Sequence, residues 1–77
     1  MPQPLRAALV SCGNRARMFA GFCRDYPEMI KIVSVSDPRQ EWREAEARAN
    51  GLPDSAVFES FTGQFANGAP QADVAII

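Results

Sequence analysis

Short apolar runs alternate with longer amphipathic stretches along the chain. Leu5-Arg6-Ala7-Ala8-Leu9-Val10 follows a Pro-containing leader and predicts a short buried strand. It runs into Ser11-Cys12-Gly13-Asn14, a turn. Phe19, Phe22, Cys23 and Tyr26 then fall at i, i+3, i+4 and i+7, the spacing of one helical face. Arg17, Arg24 and Asp25 take its wet sides, and Pro27 stops it. Ile30-Lys31-Ile32-Val33-Ser34-Val35-Ser36 is rich in β-branched residues and predicts a second strand ending at Asp37-Pro38. Asp37, Pro38 and Gln40 read as N-cap, N1 and N3 of a second helix, with Trp42, Ala45, Ala49 and Leu52 as its inward stripe. Gly51 suits the position just past its end, and Pro53 prevents continuation. Ala56-Val57-Phe58 predicts a third strand, Phe61 and Phe65 a short helix begun at Ser60, and Ala72 to Ile77 a fourth strand.

The order β-α-β-α-β-α-β with short connections argues for an α/β fold with a parallel sheet and crossover helices. Right-handed crossovers put the first two helices on one face, and a fourth strand returning beside the first puts the third helix on the other. The expectation is a partial Rossmann fold, a doubly wound sheet of strand order 3-2-1-4. A ligand would sit at the C-terminal ends of strands one and four, where the order reverses. The chain stops within an apolar, β-branched run, Val74-Ala75-Ile76-Ile77. Residues 1–77 are therefore expected to be the N-terminal part of a dinucleotide-binding domain, with a C-terminal substrate domain outside them.

Composition narrows the chemistry. Of 77 residues, 47% are hydrophobic and 22% charged, a globular balance. Eight basic residues are scattered among nine acidic ones for a net charge of -1, so no phosphate-neutralising stripe exists and nucleic acid is not an expected partner. There is no histidine, and two cysteines are too few for a disulfide framework or a zinc site. Met1-Pro2-Gln3-Pro4 lacks the basic start of a secretory leader, and no stretch is long enough to cross a bilayer. A cytoplasmic protein without a membrane partner is expected.

The loop after the first strand carries the most chemistry. A dinucleotide-binding loop there reads G-x-G-x-x-G or G-x-G-x-x-A. This chain has Ser11-Cys12-Gly13-Asn14-Arg15-Ala16, with Ser11 in place of the first glycine. Gly13 lets backbone approach a pyrophosphate, and Ala16 lets helix and strand pack closely. Ser11 is small but has a Cβ, so a positive φ there carries strain. Backbone N–H groups at the helix start point at a phosphate, and Arg15 adds a charge-assisted contact. Asp37 ends the second strand 21 positions beyond Ala16, where an acid recognises the adenosine ribose. Capping of the second helix competes for the same oxygens. Arg39 reads as stacking on an adenine, contacting a 2′-phosphate, or being simply solvated; Asp37 repels a 2′-phosphate and favours NAD, while Arg39 keeps NADP open. The cofactor-binding candidates are thus Ser11, Cys12, Gly13, Asn14, Arg15, Asp37 and Arg39.

Other residues carry less. Cys12 sits in the turn near any cofactor, but without a histidine it is a small turn residue rather than a catalytic thiol. Cys23 belongs to the apolar stripe. Trp42, Phe61 and Phe65 read as packing, and Asp54, Glu59 and Asp73 as turn or edge residues.

Leu9-Val10-Ser11-Cys12-Gly13-Asn14-Arg15-Ala16-Arg17, Ile32-Val33-Ser34-Val35-Ser36-Asp37-Pro38 and Ala72-Asp73-Val74-Ala75-Ile76-Ile77 together resemble the start of the Gfo/Idh/MocA oxidoreductases, the glucose–fructose oxidoreductase and inositol dehydrogenase family. The resemblance covers nearly the whole chain. It implies an N-terminal Rossmann domain followed by a larger α+β domain. It implies hydride transfer between NAD(P) and a sugar, cyclitol or related hydroxy or keto compound. Gly13, Asn14 and Arg15 would face the pyrophosphate and Asp37 the ribose. The family's catalytic lysine, in a Glu-Lys-Pro motif, would follow Ile77, so no catalytic residue is expected within these residues and they should not turn over alone. The small-molecule substrate, and any homo-oligomer, would belong to the full-length protein. Two alternatives stand beside this reading. An S-adenosylmethionine methyltransferase would show a more glycine-rich loop preceded by an acid, which Val10-Ser11 does not provide. A stand-alone nucleotide-sensing or protein-interaction module would need its fourth strand closed off.

Overall fold

The computed structural model describes residues 3–77; Met1 and Pro2 of the Pro-containing leader lie outside the described residues. Strands β1 (Leu5–Val10), β2 (Ile30–Ser36), β3 (Val57–Phe58) and β4 (Val74–Ile76) form one sheet in the order β3-β2-β1-β4. All pairings are parallel, as the alternating pattern requires. Helices α1 (Asn14–Asp25), α2 (Gln40–Ala49) and α3 (Phe61–Gln64) connect the strands, with a short 3-10 turn at Asp54–Ala56 ahead of β3. The α/β class and the 3-2-1-4 order are those expected of a Rossmann-like fold. Among the described residues no helix is long and apolar enough to cross a membrane.

The third and fourth strands are shorter than the sequence suggests. Ala56 belongs to the 3-10 turn, and Ala72, Asp73 and Ile77 flank β4. Asp73 has a definite edge role. Its carboxylate accepts from the backbone N–H of Arg6 at 2.9 Å and pairs with the Arg6 guanidinium at 3.1 Å, fixing where β4 meets β1.

The helix stripes are met in part: Cys23 of α1 is buried and Trp42 and Leu52 pack against the core, while other large or small members of the two stripes face outward. On α1 the buried residues are Ala16, Ala20 and Cys23, whereas Phe19 and Phe22 are 53% and 51% exposed and Tyr26 is exposed too. On this face of the sheet β1 presents Ala7 and Leu9, and the small residues of α1 pack into the same cluster with them. On α2 the buried positions are Glu46 and Ala47, Trp42 is half-buried, and Ala45 and Ala49 are exposed. Gly51 does take the predicted place beyond α2, at φ +65°. Leu52 N–H bonds Ala47 O at 2.9 Å and Gly51 N–H bonds Arg48 O at 3.2 Å, the paired bonds of a Schellman end.

Helix α3 inverts expectation. Phe61 and Phe65 are exposed, and the residue it buries is Gln64. The Gln64 side-chain amide donates to Leu9 O at 3.1 Å and Ser34 Oγ at 3.0 Å, and its carbonyl accepts from Ser36 Oγ at 2.7 Å. Val35 joins the apolar cluster of α1 and α2, while its neighbours Ser34 and Ser36 meet Gln64. Successive residues of a strand point to opposite faces, so α3 covers the other side of the sheet.

Gln64→Leu removes the shared partner of two buried hydroxyls. It is expected to lower stability by roughly 3 kcal/mol, read from the shift of the urea unfolding midpoint at constant slope.

Candidate functional site

The site forms where β1 and β2 end. Ser11 N–H donates to Ser36 O at 2.7 Å, so the two strand ends stay joined through the first residue of the loop. Ser11 has φ +83°, the left-handed region in which a Cβ is strained. The conformation that a first glycine would supply freely is thus kept here by a serine. Cys12 is fully buried behind the loop, and burial, ahead of the nearby Asp37 carboxylate, pushes its thiol up to about 12. Burial thus favours the protonated thiol, packed beneath the loop.

Gly13 is the N-cap of α1, and no side chain caps that helix. The Gly13 N–H donates to Ser11 Oγ at 3.4 Å, and the N–H groups of Asn14, Arg15 and Ala16 are left for an anion or water. The backbone of Gly13 is extended at φ -73°, a conformation any residue adopts. A Cβ built there would meet Ser11 Oγ at 3.7 Å and the Arg39 guanidinium and Trp42 ring at 3.9 Å, which are ordinary contacts. Neither geometry nor packing within the chain demands glycine at this position, which Ser11, Arg39 and Trp42 line. Asn14 Oδ1 accepts from Arg17 at 2.9 Å. Arg15 is exposed and lines an apolar groove with Met18, Phe19 and Ile76.

Asp37 is at the centre. Its N–H bonds Phe58 O at 3.1 Å, which anchors it to β3. Its side chain is 1% exposed. Oδ2 accepts from Cys12 N–H at 2.9 Å and from Arg39 Nη2 at 2.8 Å. Oδ1 accepts from Arg39 N–H at 2.8 Å and Arg39 Nε at 2.9 Å. The guanidinium bonds of Arg39 hold the carboxyl far below the usual carboxylate range; burial opposes them, and the N–H groups of Cys12 and Arg39 reinforce them. Asp37 is not the N-cap of α2: the N-cap is Arg39 and the helix begins at Gln40, two residues later than expected, while Asp37 Oδ1 accepts the Arg39 N–H at the helix entry. Arg43 adds a bond to Asp37 O at 3.3 Å.

Arg39 and Trp42 form a pair that the sequence reading separated. The Arg39 guanidinium lies 3.6 Å from the Trp42 ring centroid, and Arg17 approaches the same ring at 5.3 Å. Trp42 does pack against the core cluster, as expected, yet it also floors the space beside Gly13. Its place on the first turn of α2, three residues beyond Arg39, was the available signal.

The loop, Asp37 and Arg39 thus converge at the C-terminal edge of the sheet, beside the reversal between β1 and β4. The fold is similar to that of the WlbA dehydrogenase from Bordetella pertussis, solved in complex with NADH and UDP-GlcNAcA. The TM-score is 0.80 at 24% sequence identity, over 97% of this chain and 21% of that one. The likeness is one of fold. This chain spans about a fifth of that dehydrogenase's length. No protein-family model and no curated protein matches the sequence.

Two outcomes follow from this geometry. Ser11→Gly relieves the left-handed strain and is expected to raise stability by about 1 kcal/mol, read by urea unfolding. Asp37 has a folded pKa below its unfolded value of 3.8, so its contribution is present above about pH 4 and is lost as pH falls toward the folded value. Asp37→Asn is expected to lower the thermal midpoint at pH 7 and to flatten its fall between about pH 4 and pH 2.

Proposed function

We propose that this chain is the cofactor-binding portion of a nicotinamide-dependent oxidoreductase of the Gfo/Idh/MocA type. The observation that carries the reading is the bond between Asp37 Oδ2 and Cys12 N–H. It holds an acid suited to a ribose diol against a loop whose glycine and uncapped helix start suit a pyrophosphate. The fold shared with a dehydrogenase solved with NADH supports the same cofactor here.

In this proposal the nicotinamide supplies hydride transfer to or from carbon. The described residues bind and orient. The N–H groups at the start of α1 receive the pyrophosphate, and Gly13 permits its close approach. Asp37 accepts the adenosine ribose hydroxyls and, being an anion, disfavours a 2′-phosphate, so NAD is preferred and NADP is the weaker ligand. The substrate class proposed is a sugar, cyclitol or related hydroxy or keto compound. Its binding and catalytic groups would lie in a substrate domain beyond these residues, and residues 1–77 are the N-terminal part of the dinucleotide-binding domain.

Calorimetric titration with NADH and NADPH tests the reading. Binding of NADH tighter than NADPH is expected. Asp37→Ala is expected to weaken NADH by about tenfold or more, equivalent to about 1.4 kcal/mol, and NADPH by less. Equal weakening of both would leave Asp37 with loop tethering alone, and no binding of either would contradict the proposed function.

A further inference from the structure

We propose that Arg39 is a built-in competitor for the ribose position on Asp37, a specificity-determining residue that NAD must displace in order to bind. The inference rests on the cofactor reading above and goes beyond it. A carboxylate offers about four lone-pair positions. All are taken here: Cys12 N–H and Arg39 Nη2 on Oδ2, Arg39 N–H and Arg39 Nε on Oδ1. A ribose diol has nowhere to donate while this arrangement stands.

The four bonds are not equivalent. Those from Cys12 and from the backbone of Arg39 belong to the fold, because they set the loop and the entry to α2. The two from the guanidinium belong to a side chain that is 49% exposed and hinged on flexible bonds. Withdrawing the guanidinium frees one position on each oxygen. That is the requirement of a vicinal diol, which donates one hydroxyl to each oxygen of a carboxylate. The guanidinium fork and the ribose diol are both two-pronged donors to the same carboxylate edge. Trp42 supplies the resting place that keeps Arg39 in position, with the guanidinium 3.6 Å from its ring centroid. A ligand whose site is open only when a side chain has left binds more weakly by the fraction of time the site is open.

The chemistry sets a sharp control. NADPH carries a phosphate in place of the 2′-hydroxyl and lacks the diol, so it cannot occupy both freed positions. Removing the guanidinium should therefore help NADH and not NADPH.

The test is calorimetric titration of the wild-type protein, Arg39→Gln and Arg39→Ala with NADH and with NADPH. Both variants keep the backbone N–H of residue 39 on Asp37, so the loop and helix entry retain their bonds. Arg39→Ala covers the case in which the glutamine amide itself donates to Asp37. Because the guanidinium acts from a half-exposed position, its hold is that of a partly solvated ion pair. Its loss is expected to tighten NADH by about threefold to tenfold in at least the alanine variant. NADPH is expected to bind no tighter than to wild type. Unchanged or weaker NADH binding in both variants would overturn the competitor role while leaving the cofactor reading in place. An equal gain for NADPH would overturn it too, since no diol is then involved. If neither dinucleotide binds the wild type or the variants, the cofactor reading fails and this inference with it.

Discussion

The Asp37 carboxylate is the constraint on which the rest of the site depends. It is buried at the end of β2 and accepts the N–H of Cys12 from the loop after β1. Through its own N–H it is anchored to β3, and through Oδ1 it turns the chain into α2. One residue thus joins the loop, two strands and a helix entry, the loop and helix entry through its carboxylate and β3 through its backbone. A buried anion is costly unless its oxygens are bonded, and here each oxygen has two donors. The depressed pKa is the same fact in another form: this environment is arranged for the charged state.

The loop carries the cost of that arrangement at Ser11. Its left-handed backbone lets Ser11 N–H reach Ser36 O while the next N–H reaches Asp37. Chain direction then changes within a residue or two, and α1 begins at once, close against the sheet. Small residues pack here, with Ala16, Ala20 and Cys23 of α1 in one cluster with Ala7 and Leu9 of β1. On the opposite side of the sheet Gln64 does comparable work with hydrogen bonds, tying α3 to both central strands.

The order of strands and helices was legible because punctuation marks it: Gly13, Pro27, Asp37-Pro38 and Gly51 stand where elements change. The buried helix faces were legible only in part, at Cys23, Trp42 and Leu52. Large apolar side chains were the guide, but α1 packs Ala16 and Ala20 into the cluster with Ala7 and Leu9 and leaves Phe19 and Phe22 outside. Gln64 was invisible for a related reason, since a polar residue in a short helix gives no sign of burial until two serines and a carbonyl are placed around it. Within the site, the spacing from the glycine loop to Asp37 was readable. The saturation of that carboxylate by Arg39, and the stacking of Arg39 on Trp42, depend on how α2 enters and only appear once the turn is built.

A crystal structure of the protein soaked or grown with NADH tests the central claim most directly, that Asp37 and the loop it holds are a dinucleotide site. The expected result is the pyrophosphate over the first turn of α1 beside Gly13, and the adenosine ribose hydroxyls on the Asp37 carboxylate with the Arg39 guanidinium turned away. A dinucleotide bound elsewhere, or a loop empty at saturating NADH with Arg39 still on Asp37, would contradict it.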